Sequence, residues 1–490
     1  MDRGDFFYRR FKDFFPYDGT EDQDRLFREI AGFVTCDDAD ILVVNGYAGT
    51  GKTSAIASVI QSFDDLRPRT RNDELEEICF LLAPTGRAAK VLSSYAGKPA
   101  STIHKCIYRQ KSVGDDGFGQ FSLALNKLSH KLFIVDEVSL IGIEDAHRQG
   151  TTQFGTGDLL KDLIDYVRAG NDCRLILIGD DAQLPPVGME ASPALSKECM
   201  DCFGGVRYCS LRQVVRQQKE SGILHNATRL RELIASDLYG DGMFTPDELG
   251  LTVEGFDDVV RITGGELLDA LNTAYFSEYS KDDAVVLCRS NKRANRYNAG
   301  IRAQVFYDEE RLVRGEKLMI VKNCYQFLDG VKNMDYIANG DIAKLLSIRN
   351  FEERYGLSFA DARLSFPDYD DTEIVAKVCL DTLESESASL SYEQQNLLYN
   401  GVSEDYADIT SKKKRYEAVR EDPYYNALQL KYANAITCHK SQGGQWSCVF
   451  IDNPFWQDEL TVDDLKWLYT AITRATDKVY LVNFKDEYFA

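Results

Sequence analysis

Residues 46–53 read Gly46-Tyr47-Ala48-Gly49-Thr50-Gly51-Lys52-Thr53, directly after the apolar run Ile41-Leu42-Val43-Val44. This is the pattern GxxxxGK[ST], set between a buried strand and the helical stretch Ser54–Phe63, where a phosphate-cradling loop has to sit. Gly46, Gly49 and Gly51 let backbone N–H groups turn inward onto phosphates, with Thr50 and Ser54 beside them. Lys52 reaches the β- and γ-phosphates, and Thr53 offers a hydroxyl to Mg²⁺. A nucleoside triphosphate is therefore the expected ligand. What its energy drives is not written in the loop.

At 490 residues the chain exceeds one compact core and is expected to hold two to four domains. Hydrophobic content of 44% and charged content of 28% place it among globular proteins, and no apolar stretch is long enough for a membrane span. The start, Met1-Asp2-Arg3-Gly4-Asp5, has no apolar secretory core, so a cytoplasmic location is expected. Twelve cysteines are scattered, many in apolar runs, as reduced core thiols would be. Cys199, Cys202 and Cys209 lack a fourth ligand at a usual zinc spacing.

A net charge of −21 argues, as an average, against nucleic acid. Much of it sits between Phe351 and Tyr424, where runs such as Asp368-Tyr369-Asp370-Asp371 read as a solvated module. A basic groove elsewhere stays open.

Buried strands at Ile41–Asn45, Ile78–Ala83, Leu132–Asp136 and Arg174–Gly179 alternate with helical stretches, and a second set follows at Ala284–Cys288, Cys448–Asp452 and Val479–Val482. This βαβ rhythm implies an α/β fold of two parallel-sheet lobes. Residues 106–124, two short strands around Gly114-Asp115-Asp116-Gly117, read as an inserted hairpin. Residues 312–432 read as a small β-domain with an acidic helical excursion at 382–420. The expected division is 1–105 with 125–210 for the first lobe and 211–311 with 433–490 for the second.

Leu132–Val135 ends in Asp136 and Glu137, an acid to hold Mg²⁺ and a base to take a proton from water. Leu177-Ile178-Gly179-Asp180-Asp181-Ala182-Gln183-Leu184-Pro185-Pro186-Val187-Gly188 ends a third strand, where Gln183 can sense a γ-phosphate; a plain strand exit is the alternative.

With Asp136-Glu137-Val138-Ser139, that run resembles the superfamily 1 (1B) DNA helicases of the RecD/Dda-like group. The resemblance extends over most of the chain. Ala83–Lys90 is similar to that family's motif Ia, Thr102-Ile103-His104 to Ib, Leu211–Gln217 to IV, Ala435–Gly443 to V and Tyr469–Ala475 to VI. Gln23 matches the adenine-reading glutamine, and Gly443 falls on the nucleotide side of motif V. One departure is plain: Gln445 and Trp446 occupy a stretch where relatives often carry a glutamate, so the resemblance does not carry a ribose contact over to this stretch.

The resemblance implies two RecA-like lobes with an inserted β-hairpin, an SH3-like β-domain at 312–432, and ATP with Mg²⁺ as cofactors. It implies a monomer that moves 5′-to-3′ on single-stranded DNA and separates strands at duplex junctions, in DNA repair and recombination. Arg216 and Arg474 would be arginine fingers from the second lobe. Thr85, Thr102, His104, Asn291, Thr437, His439 and Lys440 would contact the strand through hydroxyls, amides and N–H groups, which need little net positive charge. His104 and His439 also read as packing or capping histidines. The hairpin would be the pin that splits the duplex, with Phe118 or Phe121 stacked on the last base pair or else holding the hairpin to its lobe. An RNA helicase, an ATPase subunit that remodels without unwinding, and a small-molecule kinase are the rivals; the acidic insertion could hold a protein partner.

Overall fold

The computed structural model describes residues 2–68, 76–113, 119–142, 153–215, 221–236, 242–331, 334 and 336–490. Ile41–Gly46 is a central strand of a six-stranded parallel sheet in the order Ser101–Thr102, Cys79–Ala83, Leu132–Val135, Arg174–Gly179, Ile41–Gly46, Val206–Leu211. Both faces are covered, which is why the strand is apolar at every step rather than at alternate ones. Leu42 and Val44 feed a core with Leu26, Ile30 and Val59, while Ile41 and Val43 feed another with Phe133 and Leu175. The first of these cores is closed by the helix Arg3–Asp13, whose Phe7 and Phe11 lie 5.3 and 5.7 Å from the Phe63 ring.

A second parallel sheet has the order Val259–Ile262, Ala475–Val482, Trp446–Asp452, Ala284–Cys288, Ala435–Thr437. Phe450 and Tyr480 stack on it at 4.5 Å. The molecule is thus α/β with two sheet lobes. The strand Val206–Leu211 corrects the boundary expected at 211: Leu211 pairs with Gly46, and Arg212 and Gln213 donate backbone N–H groups to Asp22 Oδ2 at 2.6 and 2.8 Å. Residues up to Gln213 therefore belong with the first lobe.

Between the two halves of the second lobe stands a closed barrel of Lys317–Ile320, Ile342–Arg354, Leu357–Phe366, Thr372–Cys379 and Leu428–Tyr432. The acidic excursion is two helices, Tyr392–Asp405 and Lys412–Glu421, whose Leu398, Val402 and Val419 share a core with Leu357, Phe359 and Cys379. In the first lobe, pairing of the hairpin begins at Tyr108, since residues up to Ile107 are helical; Gln153–Phe154 adds a third strand.

The chain enters and leaves the barrel at a locked joint. Arg302 donates through Nε to Glu316 Oε1 at 2.8 Å, with both side chains buried, and its guanidinium lies 4.5 Å from the Tyr432 ring centre. Asn298 Nδ2 donates to the carbonyls of Tyr432 and Ala435 at 3.2 and 2.8 Å, and its Oδ1 accepts from Ala435 N at 2.8 Å. Removing one partner of a buried ion pair strands the other charge. Glu316→Ala is expected to cost roughly 3–5 kcal/mol in urea unfolding, and Arg302→Met/Glu316→Leu much less. Equal losses in the two variants would show that the pair itself, rather than the stranded charge, carries the effect.

Candidate active site and nucleic-acid interface

The phosphate loop sits at the carboxyl end of its strand, next to the neighbouring strand ends that carry Asp136 and Asp180, the usual place for a ligand in a parallel sheet. Gly49 and Gly51 have φ of +75° and +70°, a region costly to residues with a Cβ. A Cβ on Gly51 would also fall 2.4 Å from Gln23 Nε2. Gln23 caps its own helix with Thr20, accepting from Thr20 N at 2.9 Å, and donates to the buried Thr50 carbonyl at 2.9 Å. The glutamine expected to read adenine thus also buttresses the loop. A primary amide keeps one N–H and one lone pair beyond these bonds. Lys52 Nζ donates to the Gly46 carbonyl, and Ser54 is exposed one turn into the helix Lys52–Asp65.

Lys52, Thr53 and Asp136 line one narrow crevice, with Tyr95 at its side. Burial, reinforced by the charge of Glu137 and opposed by Lys52, pushes the Asp136 carboxyl up to about 6. Glu137 holds φ +55°, a strained conformation for a residue with a side chain, just past the end of the strand Leu132–Val135.

The lobes meet directly over this loop. Tyr469, on the second lobe's helix Val462–Ile472, accepts from Ala48 N at 3.0 Å and donates to Asp180 Oδ2 at 2.6 Å. Thr470 Oγ1 accepts from Leu184 N at 2.8 Å, and Gln442 Nε2 donates to the Leu184 carbonyl at 2.6 Å. Gln183 between them is buried, and its Oε1 has no hydrogen-bond partner among the described residues. Arg474 is 4% exposed, yet its guanidinium donates only to the carbonyls of Thr470 and Gly444 and to Thr473 Oγ1. Among the described residues no carboxylate pairs with it. A buried cation without a counterion is costly and favours an incoming anion. Beside Gln183 and Asp180 a cavity of about 450 Å³ opens, lined also by Tyr47, Arg212, Arg231 and Lys466. Arg216 lies outside the described residues.

Sequence reasoning singled out Arg474 but passed over Tyr469, Thr470 and Gln442 in the same two motifs. Their signal was present as hydroxyls and an amide spaced about otherwise apolar segments, though nothing local says which surface they face.

Of the residues expected to touch nucleic acid, Thr85 and Thr102 cap the helices Gly86–Ala96 and Ile103–Ile107, accepting from the N–H groups of Ala88 and Lys105. Asn291 opens the helix Asn291–Ile301, and Thr437 precedes Cys438–Ser441. His104 is packed against Phe154 and Tyr108 at 4.9 and 5.6 Å, and burial lowers it to about 4, so it is a neutral ring at physiological pH. Burial and Arg289 also lower His439. Lys440 has a buried Nζ with no hydrogen-bond partner among the described residues and lies in a crevice with Asn291, Thr437 and Lys431. Positive charge beside Asn291 is offset: Lys292 pairs with Glu386 and Arg293 with Asp452. Phe121 stacks on Phe154 at 4.7 Å and lies 5.4 Å from Tyr325 of the barrel region. Phe118 falls outside the described residues. Gly443 packs against the first lobe, where a Cβ would meet Ala88 at 3.1 Å and Thr85 at 3.4 Å. Among the described residues no group of three or more His, Cys, Asp or Glu side chains is placed to hold a metal, and Cys199, Cys202 and Cys209 are free thiols.

Residues 20–237 match the family described as AAA domain, and residues 432–482 the UvrD-like helicase C-terminal domain. The ATP-dependent DNA helicase dda of Enterobacteria phage T4 is 25% identical over 476 residues, 90% of this chain and 94% of that protein. Over most of its length the chain is thus similar to the superfamily 1B helicases. An uncharacterised protein of Methanocaldococcus jannaschii is 22% identical over 90% of this chain, which spans 36% of that longer relative. A Pif1 helicase from Bacteroides, solved in complex with ADP-AlF3 and ssDNA, covers 97% of this chain and 95% of its own at 16% identity, with a TM-score of 0.46. No helix among the described residues is long and apolar enough to cross a membrane.

The donor set at the phosphate loop fits Mg²⁺: a hydroxyl, Thr53, and a carboxylate, Asp136, both hard oxygen ligands, share one crevice. The metal needs that carboxylate ionised, while burial holds its proton up to about pH 6. Below that pH the proton and Mg²⁺ compete. Mg²⁺ affinity of the nucleotide complex is expected to fall about tenfold per unit below pH 6 and to level off above it. Magnesium titrations of nucleotide binding across this range check it, with a flat profile expected for Asp136→Asn.

Proposed function

We propose that this chain is an ATP-driven motor that moves 5′-to-3′ along single-stranded DNA and separates duplex strands. The observation that carries the reading is the junction at Tyr469, which ties the phosphate loop of one lobe to the other lobe's helix Val462–Ile472, two residues before Arg474. A triphosphate bound there can bias the lobes between closed and open states, the hinge motion a translocase uses.

In this reading Lys52 grips the β- and γ-phosphates and Glu137 takes the proton of the attacking water. Gln183, Arg216 and Arg474 meet the γ-phosphate as the lobes close, stabilising charge as it develops. Gly46, Gly49, Thr50, Gly51 and Ser54 complete the cradle, and Gln23 and Gly443 flank the nucleoside. Mg²⁺ held by Thr53 and Asp136 would neutralise phosphate charge. The strand would run over the helix starts at Thr85, Thr102, Asn291 and Thr437, beside His104, His439 and Lys440, where N–H groups and hydroxyls contact phosphates. The hairpin would act as the pin, with Phe118 or Phe121 against the last base pair; Phe121 also packs on Phe154. We read the barrel as the SH3-like domain of this family, its acidic helices as a surface for a protein partner, and the working unit as a monomer acting in the cytoplasm.

Strand displacement on duplexes with a 5′ or a 3′ single-stranded tail tests the polarity; unwinding from the 3′ tail alone would refute it. Comparing DNA and RNA oligonucleotides as ATPase stimulators separates the RNA-helicase reading. Lys52→Ala should abolish hydrolysis, and deletion of 110–121 should abolish unwinding while sparing DNA-stimulated ATPase. Burial and Lys431 lower Lys440 to about 8, so its charge is present below that pH and lost above it. Affinity for single-stranded DNA is therefore expected to weaken as pH rises through 8 in the wild type. In Lys440→Gln the same titration should be flat.

A further inference from the structure

Gly443–Trp446, the stretch where this sequence departs from its relatives, lies against the first-lobe helix Gly86–Ala96. Gly443 and Gly444 allow the approach: a Cβ on Gly444 would fall 2.5 Å from Arg87 Nε. Beyond them, Gln445 Oε1 accepts from the Tyr95 hydroxyl at 3.0 Å. The Arg87 guanidinium sits 3.9 Å from the centre of the buried Trp446 ring, close enough for a cation–π contact. One residue from each end of the helix is thus held from the opposite lobe.

The same stretch is bonded to Arg474. The Gly444 carbonyl accepts from Arg474 Nη1 at 3.3 Å, and Trp446 N donates to the Arg474 carbonyl at 3.0 Å. The helix it grips begins at Thr85 and passes, at Tyr95, beside the crevice of Lys52, Thr53 and Asp136. Arg474 spends three of its five N–H donors on Thr470, Gly444 and Thr473, and turning toward a γ-phosphate would move the Nη1 donor that holds Gly444.

We propose that Gln445 and Trp446 form an interlobe clasp on the helix Gly86–Ala96, released or tightened by Arg474, with Arg87 and Tyr95 as positioning residues that couple the nucleotide to the DNA-binding end of that helix. The proposal rests on the motor reading above.

Two measurements test it. Tryptophan emission on adding Mg²⁺ and a non-hydrolysable ATP analogue reads the clasp without DNA: a change is expected in the wild type and should be lost in Trp446→Phe. ATPase with and without single-stranded DNA reads the coupling. Gln445→Ala, an exposed position, and Trp446→Ala should keep DNA-free hydrolysis within about twofold while DNA stimulation falls about tenfold, and Trp446→Phe should restore it. Full DNA stimulation in Gln445→Ala, or an unaltered emission change in Trp446→Phe, would overturn the clasp. Absence of DNA stimulation in the wild type would instead sink the motor reading, with the emission change still deciding the clasp.

Discussion

One hydroxyl joins the two halves of this molecule. Tyr469 accepts a hydrogen bond from Ala48 N–H and donates one to Asp180, so a second-lobe side chain is bonded at once to the phosphate loop and to the neighbouring strand end. Tyr469 is 1% exposed and Asp180 is buried, and a polar group lost from such a place forfeits more than it does in water. Neither bond survives a shift of more than about an ångström. The loop therefore cannot rearrange around phosphates without the second lobe registering it. Everything else at the cleft, from Thr470 on Leu184 to Gln442 on the Leu184 carbonyl, reinforces one docked arrangement.

Against that closed set of bonds stand two groups left unmatched. Among the described residues, Arg474 is buried with carbonyls and a hydroxyl but no carboxylate, and Gln183 presents an unpartnered oxygen. Folded chains seldom bury such groups without a use for them. The docked lobes thus hold a cation and an amide whose best partner has yet to arrive, while Tyr469 keeps the geometry in which it can be received. Rigidity and unmet demand sit within one motif, and that is the arrangement expected of a site that converts ligand binding into motion.

How much of this could be read beforehand depended on range. The phosphate loop, the paired carboxylates and the two runs of apolar strands were legible because the chemistry is local and each strand is buried on both faces. Val206–Leu211 escaped notice because Arg207, Tyr208 and Ser210 dilute its pattern at a sheet edge, where one side is left half exposed. Gln23 was read for a base contact, and its bond to Thr50 was invisible because 27 residues separate the two. The cross-lobe bonds span hundreds of residues, so no spacing could encode them. Phe121 was undecided between base and protein for the same reason: only the fold brings Phe154 and Tyr325 beside it.

The charge of the chain poses the remaining physical question, since −21 must coexist with a polyanion. The structure spends its cations internally: Arg293 on Asp452, Lys292 on Glu386, Arg289 on Asp464. What stays near the helix starts is neutral His104, Lys440 with its proton loosened, and capping hydroxyls. In the proposed motor a surface of that kind would bind through oriented N–H groups, whose field falls off within a turn of helix, rather than through long-range attraction. Such contacts would release few counterions and be easily broken and remade. A motor that must let go of each phosphate in order to advance to the next would gain from a weakly charged track, and an acidic exterior would confine binding to that track.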